Sequence, residues 1–198
     1  FCPKPGDGTG LYEAMLEAKA QGKILHIGIT NHRLNVANEA IESGLYETLQ
    51  FPFNYLATEK EHELVEVCRS KNMGFIAMKA LSGGLITNSK AAYAYQAEYD
   101  NVLPIWGVQR KSELEEFISY IDNPPVMDDE IRAVIEKDKK ELAGNFCRGC
   151  GYCVPTCPAH IEINNCARMS LLLRRSPSEL QLTEAVQAKM KKIEDCIH

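Results

Sequence analysis

The 198-residue chain lacks the sequence features of several large protein classes. No apolar run approaches the roughly 18 residues that span a membrane, which argues against a membrane protein. Basic residues number 22 against 27 acidic ones, and the net charge of −5 argues against nucleic acid as a partner. There is no G-x-G-x-x-G motif and no phosphate-loop lysine motif, so a Rossmann dinucleotide fold is a poor first choice.

The eight cysteines also lack the spread of a disulfide framework. Six of them follow residue 146, and four of these lie within eleven residues. Such clustering is typical of a metal site in a reducing compartment, so we expect a cytoplasmic protein.

Short apolar, β-branched segments alternate with amphipathic helical segments over the first 123 residues. The strand segments begin near residues 24, 48, 74 and 102. Helical crossovers between them predict parallel pairing, and hence an α/β fold. Four such units make the second half of a (β/α)8 TIM barrel, whose usual length is about 250 residues, and we expect the other half upstream of Phe1. Two capping boxes are predicted, Thr58 with Glu61 and Ser112 with Glu115.

Asn123-Pro124-Pro125 marks a boundary between two parts of the chain. We predict a barrel part over residues 1–125 and a connecting helix over 126–145, capped by Asp128. Residues 146–198 are predicted to form a mostly α, ferredoxin-like iron–sulfur domain that is truncated at its C-terminus.

The cysteine run Cys147, Cys150, Cys153 and Cys157, followed by Pro158, spells C-x2-C-x2-C-x3-C-P. This spacing is that of bacterial ferredoxins and predicts a [4Fe–4S] cluster. Glycines between the cysteines allow the loop to bend around a cubane. Structural zinc is the alternative, but it usually takes two separated knuckles.

Cys196 bears on the number of clusters. In two-cluster proteins the fourth cysteine of each run ligates the other cluster. If a second run begins at Cys196, then Cys157 serves a second cluster; otherwise Cys157 completes the first and Cys196 is a spare thiol. We favour the two-cluster interpretation.

Four segments together resemble one family. They are Gly22–Asn31, Gln50–Asn54, Ala77–Leu81 and Ile105–Arg110, and in this order they are similar to strands five to eight of aldo/keto reductases. With the cysteine run, the whole chain resembles the C-terminal portion of the iron–sulfur subgroup of that family, oxidoreductases with a C-terminal ferredoxin-like domain.

The resemblance implies a nicotinamide cofactor, NAD(P)H. Asn31, with Thr30, and Gln50 would hydrogen-bond the nicotinamide carboxamide, and Met78 stands where many members stack a tyrosine on the ring. The remaining cofactor-binding residues would be those of the loop after the seventh strand and one arginine after the eighth: Lys79, Leu81, Gly83, Gly84 and Arg110.

The resemblance also implies an activity for the parent protein, the reduction of a small carbonyl substrate. The family's catalytic Asp, Tyr, Lys and His come from the first four strands, so this fragment is expected to be inactive by itself. The clusters would pass single electrons, with a one-electron donor or acceptor protein as partner, or hold the domain in shape. The alternative is a non-catalytic nucleotide-sensing or electron-transfer module that uses the barrel as a scaffold.

Overall fold

The computed structural model describes residues 2–142, 147, 149–175 and 177–197. Its regular elements are, in chain order, α1 (Leu11–Ala20), β1 (Gly28–Thr30), α2 (Leu34–Ser43), β2 (Thr48–Pro52), α3 (Glu59–Ser70), β3 (Gly74–Met78), α4 (Ser89–Gln96), β4 (Val102–Pro104), α5 (Lys111–Asp122), α6 (Asp129–Glu141), α7 (Ile163–Arg175), α8 (Ser178–Gln181), α9 (Glu184–Lys191) and a 3-10 turn (Lys192–Asp195). None of these helices is both long and apolar enough to cross a membrane.

The chain divides into two compact units, Phe1–Ala80 with Tyr95–Trp106, and Leu81–Ala94 with Gly107–His198. The division predicted from the sequence, at residues 125 and 145, stays a prediction. Residues 143–146 of that boundary lie outside the described residues.

The first unit is built on one parallel sheet with the strand order β1-β2-β3-β4. Strands in chain order with helices between them confirm the predicted α/β alternation. One face of the sheet carries the buried residues Leu49, Phe51 and Phe75. Helices α2 and α3 each have a buried apolar side too. Burial of a large apolar side chain contributes about 1.5–3 kcal/mol, so this layer supplies much of the stability of the unit.

The opposite face of the sheet is more exposed. Thr48, Gln50 and Ile76 are half-buried there, and Leu103 is 63% exposed. Because side chains alternate along a strand, these residues share one face. In a closed barrel this face would point inward.

Thr48 fixes how closely the first three strands approach. A Cβ on Gly28 would lie 2.1 Å from the Thr48 Oγ1, and a Cβ on Gly74 would lie 3.2 Å from its Cγ2. Both glycines pair with Thr48 in the register of the sheet. Glycine is therefore required at position 28 because the strands pack closely there, and not because the chain turns.

Strand β1 is shorter than the predicted segment beginning at Ile24. It pairs with β2 alone, and the backbone N–H of Ile27 donates to the Glu47 carboxylate at 3.2 Å instead of to a strand. The same carboxylate accepts from Lys19 and His26, and these hydrogen bonds lower the pKa of Glu47 to about 2.

Helix starts follow the predictions in two of three cases. The Glu61 carboxylate accepts the backbone N–H of Thr58 at 2.6 Å, and Asp128 Oδ1 accepts that of Ile131 at 2.8 Å. The box predicted at Ser112 and Glu115 is wrong. Helix α5 begins two residues earlier, where the Glu113 carboxylate accepts the N–H groups of Gln109 and Arg110.

The second unit is mostly helical, as predicted for the C-terminal part. Helices α5 to α9 and the 3-10 turn lie in it, and its described residues between Leu142 and Ile163 form turns and irregular chain.

Candidate functional site

The carboxyl ends of β1, β2 and β3 bring four of the predicted cofactor residues to one edge of the first unit. Thr30 pairs with Gln50 in the sheet. Met78 pairs with Pro52, which lies two residues beyond Gln50 in β2. The backbone N–H of Asn31 donates to the Gln50 carbonyl oxygen at 3.0 Å. In parallel α/β structures this is the edge where ligands bind.

Asn31 is held in place by the turn that leads into α2. Its Oδ1 accepts the backbone N–H groups of His32 at 2.9 Å and of Arg33 at 2.8 Å, and the residue is only 8% exposed. The side-chain Nδ2 forms no hydrogen bond within the described part of the chain. Asn31 therefore offers an oriented donor whose acceptor end is already used.

Gln50 and Met78 lie side by side at this edge. The Gln50 Nε2 is 3.9 Å from the Met78 Sδ, a weak contact that leaves the amide oxygen and much of the nitrogen available. Met78 is 8% exposed, so its thioether forms an apolar wall beside that amide.

Lys79 is a left-handed residue directly after β3. Its φ is +58°, and its carbonyl oxygen accepts the Asn54 Nδ2 at 2.9 Å, which fixes the chain where it leaves the strand. Burial lowers the pKa of His32, and the charge of Lys79 lowers it further. Both effects disfavour the charged imidazole.

The other predicted cofactor residues belong to the second unit. Gly83 and Gly84 have φ values of +62° and +88°, and Leu81 closes their turn by accepting the Gly84 N–H at 2.9 Å. Ser82, which lies between Leu81 and Gly83 in the sequence, is buried and also left-handed, with a φ of +49°. A left-handed conformation costs a non-glycine residue about 1–2 kcal/mol, so surrounding contacts must hold this loop.

Arg110 has a local partner in the structure. Its Nε and Nη2 donate to the Glu113 Oε1 at 2.9 and 2.7 Å, in an exposed pair at the start of α5. A role in binding the adenosine end of a nucleotide would require this pair to open.

The cysteine run lies in irregular chain ahead of α7. Backbone N–H groups point at two of its sulfurs, from Gly149 to the Cys147 Sγ and from Ile161 to the Cys157 Sγ, both at 3.4 Å. Gly149 and Gly151 have φ values of +69° and +81°.

These features test whether the run fits an iron–sulfur cluster. In the described residues, no three His, Cys, Asp or Glu side chains converge on a common point that a metal ion could occupy. The donor chemistry nevertheless fits, because four thiols at ferredoxin spacing lie on a loop with N–H···S hydrogen bonds and glycine at its bends. Cys196 is exposed after the 3-10 turn.

Arg168 is a residue that the sequence analysis missed. It lies in α7, is 7% exposed, and donates through Nη2 to the carbonyl oxygens of Ser82 and Gly83 at 2.8 and 2.9 Å. The available signal was an arginine on the same helix face as Leu171 and Leu172, at spacings of three and four residues.

Comparisons with known proteins agree with the two parts of the chain. Residues 9–94 match the model described as "Aldo/keto reductase family", and residues 146–198 match the one described as "4Fe-4S dicluster domain". These matches confirm the predicted arrangement, an aldo/keto reductase part followed by an iron–sulfur part. A search of curated proteins finds no match.

A solved structure is similar in fold to this chain. It is the crystal structure of "a putative 2,5-diketo-D-gluconic acid reductase B", with a TM-score of 0.50 and 18% sequence identity. The match covers 67% of this chain and 53% of that one, so the chain spans about half the length of the structure it matches.

Proposed function

Because an aldo/keto reductase segment precedes a 4Fe-4S dicluster segment in this chain, we propose that it is part of an NAD(P)-dependent oxidoreductase acting on a small carbonyl compound. The observation that carries the nicotinamide part is the pair of side-chain amides at the ends of β1 and β2, Asn31 and Gln50. An amide donor and a second amide at one sheet edge can read the acceptor and the donor of a carboxamide together.

The charge at this edge suits a phosphorylated cofactor. Lys79 supplies a positive charge at this edge that can attract an anion, and the same charge lowers the pKa of the neighbouring His32. Met78 offers an apolar surface against which a ring can pack. The bound nicotinamide would supply hydride chemistry, and these residues would bind and orient it.

Proton transfer to the carbonyl oxygen is not assigned to the residues described above. By resemblance, the residues that protonate the carbonyl oxygen belong to the first four strands of the family's barrel, and no residue of this chain is assigned that role. We therefore expect this chain alone to bind nucleotide without reducing carbonyl compounds.

The iron–sulfur part would hold one or two [4Fe–4S] clusters, which supply one-electron chemistry when bound. Cys147, Cys150 and Cys153 would ligate the first. Cys157 would ligate either that cluster or, with Cys196, a second one. A one-electron donor or acceptor protein would be the partner.

Nucleotide titration tests the first half of the proposal. The full chain should bind NADPH or NADH, and the fluorescence of the cofactor measures this binding. Gln50→Leu should weaken binding by about tenfold, since one hydrogen bond to the carboxamide is lost. The matched control is Gln109→Leu, an exposed glutamine in the second unit. Equal affinities for the two variants would contradict the role of Gln50.

Iron and acid-labile sulfide, measured per chain after anaerobic purification, test the second half. About four of each indicates one cluster and about eight indicates two, whereas zinc without iron would overturn the cluster. If the full-length protein binds nucleotide and iron yet reduces no carbonyl compound, the non-catalytic sensing or electron-transfer module is the better description.

A further inference from the structure

Arg168 joins two loops of the second unit that lie far apart in sequence. Its guanidinium donates to the carbonyl oxygens of Ser82 and Gly83 at 2.8 and 2.9 Å. These residues belong to the left-handed turn after β3 that the family resemblance assigns to cofactor binding.

The other side of the same guanidinium lies against the cysteine run. A Cβ on Gly149 would stand 2.5 Å from the Arg168 Nη1, and a Cβ on Gly83 would stand 3.0 Å from it. Gly149 lies between Cys147 and Cys150 in sequence, and its N–H donates to the Cys147 Sγ. The guanidinium is therefore packed between the glycine turn and the first bend of the cysteine loop.

This buried positive charge has no ordinary counter-charge. Among the described residues, no carboxylate forms an ion pair with Arg168, and the buried Nε has no hydrogen-bond partner. A buried charge without a counter-charge is costly even when it has hydrogen bonds, so an anion beside the unsatisfied Nε would stabilise the fold.

We propose that Arg168 is the positive counter-charge of the cluster that Cys147 and Cys150 ligate, and that it fastens the Leu81–Gly84 turn to that cluster. This rests on the cluster part of the proposed function. A thiolate-ligated [4Fe–4S] cluster is anionic, and its reduction potential depends on nearby charge and hydrogen bonds. Arg168 thus stabilises the more negative, reduced cluster and raises its potential.

The same placement links the cluster to the glycine turn. Arg168 donates to the two carbonyl oxygens through Nη2, and its Nη1 lies close to both Gly83 and Gly149. Any change in the charge of the cluster acts on a side chain that also holds Ser82 in its left-handed conformation. Ligand binding at this turn and the oxidation state of the cluster would then influence each other.

Reduction potentials of three variants test the charge. Arg168→Gln should shift the midpoint of the reconstituted full chain to more negative values, measured by an anaerobic titration with dithionite followed by EPR. Arg168→Lys keeps the charge and should remain close to wild type. The matched control is Arg174→Gln, which removes an exposed arginine from the same helix. A shift for Arg168→Gln no larger than that of the control would overturn the proposal.

Amide hydrogen exchange tests the fastening of the turn. Gly84 and Ile86 donate their N–H groups to Leu81 within it. Both substitutions of Arg168 should speed exchange at these amides by about tenfold or more, because glutamine is too short to reach the two carbonyl oxygens and the lysine ammonium lacks the planar, fixed N–H groups of the guanidinium. Unchanged exchange would refute the tether.

The iron content of each variant separates this proposal from the proposed function. A wild-type chain that binds no iron would refute the cluster itself. Loss of iron in Arg168→Gln with retention in Arg168→Lys supports the counter-charge, whereas equal loss in both shows that charge is not what Arg168 supplies.

Discussion

Replacement of Asn31 by aspartate separates its two uses. The Oδ1 of Asn31 accepts two backbone N–H groups at the entry to α2, whereas Nδ2 is the group proposed to face the nicotinamide carboxamide. Aspartate keeps an oxygen for the turn and replaces the donor with a second acceptor. The variant should fold normally and bind nucleotide poorly.

The magnitudes follow from the contacts. Loss of the oxygen that accepts both N–H groups in Asn31→Ala should cost about 1–2 kcal/mol of stability, as for other helix-entry side chains. Asn31→Asp retains these bonds, and a carboxylate near a helix N-terminus gains about 0.3–1 kcal/mol from the helix dipole. In the complex, a carboxylate facing a carboxamide oxygen leaves that oxygen unpaired, at about 1–3 kcal/mol, so affinity should fall roughly 10- to 100-fold.

Two assays on the same samples decide the matter. Urea unfolding followed by circular dichroism reports stability, and NADPH fluorescence titration reports affinity. Asn35→Asp is the control, because it places the same charge on an exposed position in the first turn of α2. If Asn31→Asp binds nucleotide within about twofold of that control, Asn31 serves only the turn and its assignment to the cofactor fails.

Three further outcomes are expected. Gly28→Ala should destabilise the first unit by about 1–3 kcal/mol through the clash with the Thr48 Oγ1, and adding Thr48→Ala should restore most of that loss in urea unfolding. The pKa of Glu47, about 2 in the fold, lies below its unfolded value, so its stabilising effect is present above pH 4.5 and is lost as pH falls toward 2; Glu47→Gln should remove this part of the acid transition. Burial raises the pKa of Cys68 to about 12, so iodoacetamide at pH 8 should modify exposed Cys150 of the metal-free protein long before Cys68, a difference that mass spectrometry of the peptides would measure.

The parts of the fold that the sequence predicts well are those set by neighbours close in the chain. Strand β3 spans Gly74–Met78 and begins where the sequence analysis predicts it. A short apolar segment between two helical segments is enough to predict it. Strand β1 is shorter than its sequence suggests. In the described part of the chain no strand pairs with its outer edge, Leu25 is 76% exposed, and the Ile27 N–H donates to a carboxylate.

The residues of the candidate site also fall into those that the sequence predicts and those that it does not. Asn31 and Gln50 reach one sheet edge because β1 and β2 pair in parallel, and strand order was readable from helical spacing. The partners of Arg168 could not be predicted, because they are backbone carbonyl oxygens 85 and 86 residues away. A carbonyl leaves no side-chain signature, so nothing in the letters around Ser82 points to an arginine in α7.

Structural and functional demands meet on the same side chains in this chain. Asn31 both shapes the start of α2 and offers the proposed donor, and Arg168 both holds the Ser82 turn and offers the proposed counter-charge. Truncation to alanine would remove both uses together, and a loss of binding or iron would then say nothing about which one mattered. Substitutions that keep one capacity and delete the other, aspartate at position 31 and lysine at 168, are therefore the ones that can assign a role.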